Sequence, residues 1–163
     1  MKTSQKIVSV NALKRKIKDS RRGRKKIAFT NGCFDIIHLG HVRYLETAKK
    51  KNRVLIVGLN SDRSIKKIKG SKRPIVSQIQ RASVLAALEC VDYVTIFNEE
   101  TPLKLITALK PDILIKGADW KNKGAVGADV VYANGGKVEF IKYIPKSSTT
   151  NIINTILKKC KKR

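Results

Sequence analysis

Acidic side chains are scarce in this sequence: 12 Asp and Glu stand against 36 Lys and Arg, a formal net charge of +24. A field of that sign draws phosphate polyanions and negative small substrates and speeds their approach, but it says nothing about fold. Histidine is scarcer still, with two in 163 residues, both inside one short stretch. Cysteine occurs three times, at Cys33, Cys90 and Cys160. The odd number and wide spacing fit neither a disulfide framework nor paired metal ligands. A reducing, cytoplasmic setting suits such a chain. No apolar run approaches the roughly 20 residues of a membrane span, and residues 1–20 lack the apolar core of a secretory signal. Aromatics are few, at 6%, and the basic clusters at 21–26, 49–53, 66–73 and 158–163 have little aromatic residue between them for base stacking. Charge alone therefore keeps nucleic acid among the candidate partners.

What is present has order. At this length one domain, 1–163, is expected. Between residues 26 and 144 short β-rich runs alternate with helix-like segments, the pattern of a parallel sheet flanked by helices. Strands are expected at 26–30, 53–60, 92–97, 112–117 and 137–144, making a Rossmann-like, doubly wound, five-stranded α/β fold. RVLIVGLN, apolar almost throughout, reads as a strand buried on both faces. Val42, Leu45 and Ala48 recur three apart and predict a helix from near 40 to 50, while Ile79, Ala82, Leu85 and Ala86 mark another inward face. Thr101-Pro102 reads as an N-cap with proline at the first helical position of a helix burying Leu103, Ile106 and Leu109. A further helix at 127–133 ends at Gly135-Gly136. The last helix opens after Ser148-Thr149-Thr150 and turns Ile152, Ile153, Ile156 and Leu157 inward. An N-terminal helix is expected at about 8–20, a long polar loop at 61–77, and a basic tail at about 158–163.

Ligands of an open parallel sheet bind beyond the carboxyl ends of its strands. Four unusual motifs fall at such ends: residues 30–41 (TNGCFDIIHLGH), 60–62 (NSD), 116–120 (KGADW) and 146–150 (KSSTT). His38 and His41, three apart, share a face if their turn is helical. A zinc site is disfavoured because the chain has no third histidine and no paired cysteine, and no metal ligands are assigned. Gly40 between the histidines and Gly32 upstream favour an anion site, where backbone N–H groups and imidazoles converge on phosphate oxygens. Cys33 lacks an adjacent base and reads as a small buried side chain rather than a nucleophile.

TNGCFD followed by HLGH resembles the HxGH signature of the nucleotidyltransferase superfamily. The ordered set TNGCFDIIHLGHVRYL, VGLNSD, KGSKRP, ALECVDYV, PDILIKGADW, VGAD and SSTT is similar, from about residue 6 to 157, to the adenylyltransferases that make ADP-glycero-manno-heptose. The resemblance implies transfer of AMP from ATP, carried with Mg2+, to heptose 1-phosphate for lipopolysaccharide core synthesis. It implies His38 and His41 as catalytic donors to the α-phosphate, and Lys69 as a loop lysine closing over the phosphates. Asn31, Gly32, Cys33, Phe34 and Gly40 would cradle the nucleotide and its phosphates. Lys116, Gly117 and Asp119 would line base and ribose, and Ser148, Thr149 and Thr150 would hold the outer phosphates. Asp35 would orient substrate hydroxyls or loop amides beside the acceptor. Arg81 would either hold an acceptor anion or cap a structural network. Two departures stand out: Ala118 where relatives more often have glycine, and Lys146 where many carry a glycine or an arginine-containing loop. Cytidylyltransferases of glycerol phosphate are the nearest alternative; they tend to have GTFD where this chain has GCFD. A basic nucleic-acid-binding protein on an inactive frame is the alternative of another class. In bifunctional relatives a sugar kinase precedes this domain, and such relatives often form dimers, so a homodimer is an expected partner state. The kinase step is expected to belong to another protein.

Overall fold

The computed structural model describes residues 2–122, 124–142 and 147–160. Five parallel strands, β1 (Lys26–Gly32), β2 (Arg53–Asn60), β3 (Tyr93–Phe97), β4 (Ile113–Gly117) and β5 (Lys137–Ile141), lie in the order β3-β2-β1-β4-β5. Eight helices accompany them among the described residues: α1 (Thr3–Lys6), α2 (Val10–Arg22), α3 (Leu39–Ala48), α4 (Asp62–Lys69), α5 (Gln78–Ala87), α6 (Leu103–Leu109), α7 (Ala128–Ala133) and α8 (Thr149–Cys160).

Strand periodicity of two assigns each residue to a face. Ala28, Leu55, Val57, Leu59, Ile113 and Ile115 pack with Leu45 and Ala48 of α3 and with Ala82, Leu85 and Ala86 of α5. Their neighbours Ile27, Phe29, Val54, Ile56 and Leu114 pack on the opposite face with Leu13 and Ile17 of α2, Leu105, Ile106 and Leu109 of α6, and Val131 of α7. Both faces are covered, which is why β2 reads as a continuous apolar run rather than an alternating one. The α/β expectation of a doubly wound, Rossmann-like parallel sheet holds. None of the described helices is long and apolar enough to cross a membrane.

Aspartates at the strand margins tie the layers. Asp112 accepts from the Ile27 amide at 2.7 Å, and Asp92 accepts from the Leu55 amide at 2.6 Å while pairing with Lys49. At the exposed edge strand Glu139 binds Arg53 in a fork at 2.6 and 2.9 Å. These charge-assisted bonds hold its carboxyl down to about 2, well below the usual carboxylate range.

Four expectations need correction. Residues 61–77 are not all loop: α4 occupies Asp62–Lys69, capped by the Ser61 hydroxyl, which accepts from Ser64 N at 3.1 Å. α4 has just two apolar residues, Ile65 and Ile68, on one face of an otherwise polar and basic segment, so its composition reads as loop although its pattern is amphipathic. Ile79 and Leu103 are exposed, and Leu105 takes the inward place on α6. Pro102, not Thr101, stands at the α6 N-cap position, and no side chain caps that end. Ile156 and Leu157 of α8 are exposed, and α8 has no fully buried residue. The expected end of strand five at 143–144, Lys146 and tail residues 161–163 lie outside the described residues.

Candidate active site

β1 lies between β2 and β4. The chain leaves β1 toward α3 on one face of the sheet and leaves β4 toward α7 on the other. The carboxyl ends of β1 and β4 therefore flank the switch point, where the two departing loops open a crevice. TNGCFDIIHLGH follows β1 and KGADW follows β4, at the two sides of that crevice.

After β1 the chain turns sharply. Phe34 adopts a left-handed conformation, φ 45°, uncommon for a residue with a large side chain. Its ring folds back over Gly32, where an added Cβ would come within 3.0 Å of Phe34 Cε2. The turn delivers His38 as the residue before the first turn of α3, with extended backbone and no side-chain cap bond. Its carbonyl accepts from the amides of His41 and Val42, at 2.9 and 3.2 Å.

The two imidazoles stack with centroids 3.8 Å apart and planes 24° from parallel, and His41 also meets the Phe34 ring at 5.1 Å. Each has a buried Nδ1 with no hydrogen-bond partner among the described residues. Burial lowers the His38 pKa. Burial, then His38, then Lys69 push His41 down to about 4. Two stacked rings cannot readily both be cations, so the pair is neutral at neutral pH. Gly40 permits this packing: a Cβ there would lie 3.0 Å from the His38 ring and 3.0 Å from Cβ of Ser147. That second contact brings the residues preceding α8 against the start of α3. Ser148 Oγ accepts from Asn151 N at 3.1 Å, so Ser148 caps α8. Two helix N-termini, each with orphan amides and positive dipole end, thus meet at the histidines.

Asp35 does orient loop amides. Its buried carboxylate accepts from Ile75 N at 2.8 Å and Val76 N at 2.9 Å, and Arg73 pairs with it at 2.6 Å. Arg81 caps a structural network, one of the two roles expected of it. Its side chain is wholly buried and donates to the carbonyls of Cys33, Asn60 and Val76 and to Asp62 Oδ1. Asp35 and Arg81 thereby join the turn after β1, the end of β2 and the 70–77 segment. Sequence reasoning gave no role to Arg73, Ser147 or Asp62, although each lies in a motif it singled out: KGSKRP, KSSTT and NSD.

Lys69 ends α4 and is exposed, yet its charge acts on both His41 and Cys33. The lysine faces the turn. Burial, the largest influence on Cys33, pushes its thiol up, against the opposing effect of Lys69 and Arg81. The thiol stays protonated at neutral pH, as expected of a packing residue. On the other side of the crevice, Lys116 is buried at the end of β4 and donates to Asn31 Oδ1, with Gly117 buried beside it and Asp119 exposed on the following 3₁₀ turn. A separate basic cavity of about 460 Å3, lined by Lys14, Lys18, Arg21 and Lys110 among others, lies near the amino ends of β1 and β4.

The neutral histidines carry a pH consequence. In the unfolded chain His41 takes up a proton near its ordinary value of 6.5, whereas the folded protein refuses it until about 4. The unfolded state binds more protons in that window, so this stabilising contribution is complete above about 6.5 and declines as pH falls toward about 4. Urea midpoints are expected to drop over that interval in the wild type and to drop less in His41→Gln. Parallel pH profiles for the two proteins would contradict the depressed titration.

An α/β sheet whose switch-point crevice holds paired imidazoles at two helix N-termini is the frame of a nucleotidyltransferase. Comparison agrees. The cytidylyltransferase-like family profile matches residues 29–155. The chain is 55% identical over 134 residues to the bifunctional protein HldE of Geobacter metallireducens, covering 82% of this chain and 27% of that protein. It is 60% identical over 132 residues to the bifunctional protein HldE of Campylobacter jejuni subsp. doylei, covering 81% and 28%. Thus it spans little more than a quarter of the length of these relatives. A crystal structure of the lipopolysaccharide core biosynthesis protein from Thermoplasma volcanium GSS1 superposes with a TM-score of 0.60 at 29% identity, covering 75% of this chain and 98% of that one. The chain belongs to the cytidylyltransferase-like family and is a nucleotidyltransferase enzyme.

Proposed function

We propose that this chain transfers AMP from ATP to D-glycero-D-manno-heptose 1-phosphate, giving ADP-heptose and pyrophosphate in the cytoplasm for lipopolysaccharide core synthesis. A phosphate oxygen of the sugar attacks the α-phosphorus of ATP; the bond to the bridging oxygen breaks, and pyrophosphate leaves with that electron pair. The acceptor's second pKa lies near about 6, so at neutral pH the nucleophile is already largely a dianion and needs no general base. Positioning and charge stabilisation are what remain to be supplied.

The observation that carries this reading is the neutral imidazole pair at the meeting of two helix N-termini. With both Nδ1 atoms covered, Nε2–H is the donor left to each ring, directed to oxygens of the α-phosphate. Unpaired buried nitrogens cost about 1–3 kcal/mol each, a cost better understood at a substrate site than in a core. Ser148, Thr149, Thr150 and the amides of α8 would hold the leaving phosphates, and Lys69 would cover them. Mg2+ would arrive on the triphosphate, supplying charge neutralisation. Mg2+ is commonly held by substrate phosphates, water and one or two carboxylates rather than by a dedicated protein cage. The acceptor is supported by the sequence resemblance and by the lipopolysaccharide role printed for the solved relative.

Pyrophosphate release from each nucleoside triphosphate with each candidate acceptor tests the assignment. ATP with heptose 1-phosphate is expected to be the fastest combination. Release with CTP and glycerol 3-phosphate, but not with ATP and heptose 1-phosphate, would overturn it. Salt-dependent RNA or DNA binding without pyrophosphate release would point instead to the inactive nucleic-acid-binding frame.

A further inference from the structure

We propose that Lys116 and Asn31 form the seat of the acceptor's phosphate, on the β4 side of the switch-point crevice, so that Lys116 selects the anionic substrate that attacks the nucleotide. This assignment takes the transfer reaction proposed above as its setting. It differs from the sequence resemblance, which puts Lys116 beside base and ribose.

Lysine normally keeps its ammonium in water and buries only its stem. Lys116 is 7% exposed and is the one buried lysine among the described residues. The two arginines in the neighbouring turn network have carboxylates: Arg73 pairs with Asp35, and Arg81 with Asp62. Lys116 has no such partner within ion-pair distance among the described residues. Its one hydrogen-bond acceptor there is the neutral amide oxygen of Asn31. An ammonium has three N–H donors, so two remain for a ligand. A buried cation without a counter-ion is costly, and an incoming anion removes that cost.

Position distinguishes the anion. The β1–β4 ladder pairs Phe29 with Leu114, and two residues further along each strand stand Asn31 and Lys116. Alternation puts both on the face of Leu114, Phe29, α6 and α7, whereas Phe34, against which His41 packs, belongs to the face of α3 and α5. Lys69, the histidines and the start of α8 serve the triphosphate from that second side. In-line displacement brings the nucleophile from the side opposite the leaving group, and Lys116 is a buried cation on that side of the crevice among the described residues. Burial also pushes Lys116 down to about 8. A phosphate dianion beside it would restore full protonation at neutral pH. The indole of Trp120, the only tryptophan of the chain, lies 5.8 Å from the Lys116 ammonium and offers a spectroscopic report on it.

The test uses Trp120 fluorescence to follow orthophosphate and heptose 1-phosphate, and calorimetry to follow Mg-ATP, in the wild type, Lys116→Met and Lys116→Arg. Lys116→Met is expected to weaken orthophosphate and heptose 1-phosphate at least tenfold, to leave the Kd for ATP within about threefold, and to raise KM for the acceptor. Lys116→Arg should recover part of the acceptor affinity. Methionine replaces a buried cation by an apolar chain, so Tm should not fall, and thermal melting separates a folding defect from a binding one. Equal losses for ATP and heptose 1-phosphate would return Lys116 to the nucleotide. Unchanged orthophosphate binding in Lys116→Met would end the proposal. If the wild type failed to turn over heptose 1-phosphate but still bound orthophosphate through Lys116, the transfer reaction would be wrong and the phosphate seat would stand.

Discussion

His41→Ala is expected to lower kcat by about 100- to 1,000-fold while the Kd for ATP moves by less than about fivefold, with His38→Ala behaving similarly. The magnitude is that of removing one preorganised donor from a developing oxyanion. Because His41 is neutral at working pH, its ground-state attraction to the triphosphate is modest. Its donation gains strength as charge shifts onto the equatorial oxygens, so the loss falls on turnover rather than binding. Since the rings stack at 3.8 Å, the double variant should lose less than the product of the single losses. Steady-state pyrophosphate release and ATP calorimetry, with melting curves to exclude unfolding, measure all three quantities. An unchanged kcat in both single variants would remove the histidines from the chemistry.

Arg81→Met should instead be a stability defect. The substitution keeps much of the side-chain length but strands the carbonyls of Cys33, Asn60 and Val76 and leaves Asp62 without its buried partner. Stranding buried acceptors typically costs about 1–3 kcal/mol each, whereas Asp62, 34% exposed, recovers water. For a chain of this size that corresponds to a Tm lower by on the order of 10 °C. Arg81→Lys should fare little better, because one ammonium cannot reproduce the planar fork that reaches several acceptors. A Tm within about 2 °C of the wild type in Arg81→Met would show that the network is dispensable.

Signals written in consecutive residues were legible in the sequence. RVLIVGLN had to be a strand covered on both faces, and the small-residue turn before HLGH had to put two imidazoles at a helix start. Features depending on distant partners were not. Nothing local to Asp35 says that its carboxylate accepts from residues 75 and 76, forty positions away. Arg81 offered two roles on paper, and the structural one shows only in carbonyls that converge on it from distant parts of the chain. The helix α4 was missed because its polar, basic composition and the nearby Gly70 and Pro74 read as loop, although Ile65 and Ile68 share a face and Ser61 caps its start. The opposite error arose in α8: a clear apolar periodicity predicted an inward face, but Ile156 and Leu157 stay open to solvent. Periodicity reports that a face is apolar, not what covers it.

The manner in which α4 and the 70–77 segment are fastened separates the strength of the mouth from that of the frame. Lys69 rides on a helix that buries two residues and on a loop moored at Asp35 and Arg81, whereas the five-stranded ladder is enclosed by apolar side chains on both faces. A unit with so little enclosed surface opens at lower cost than the sheet behind it. Warming should therefore silence the catalyst while most of the polypeptide is still native, and changes that stiffen the sheet alone would leave its working temperature where it was.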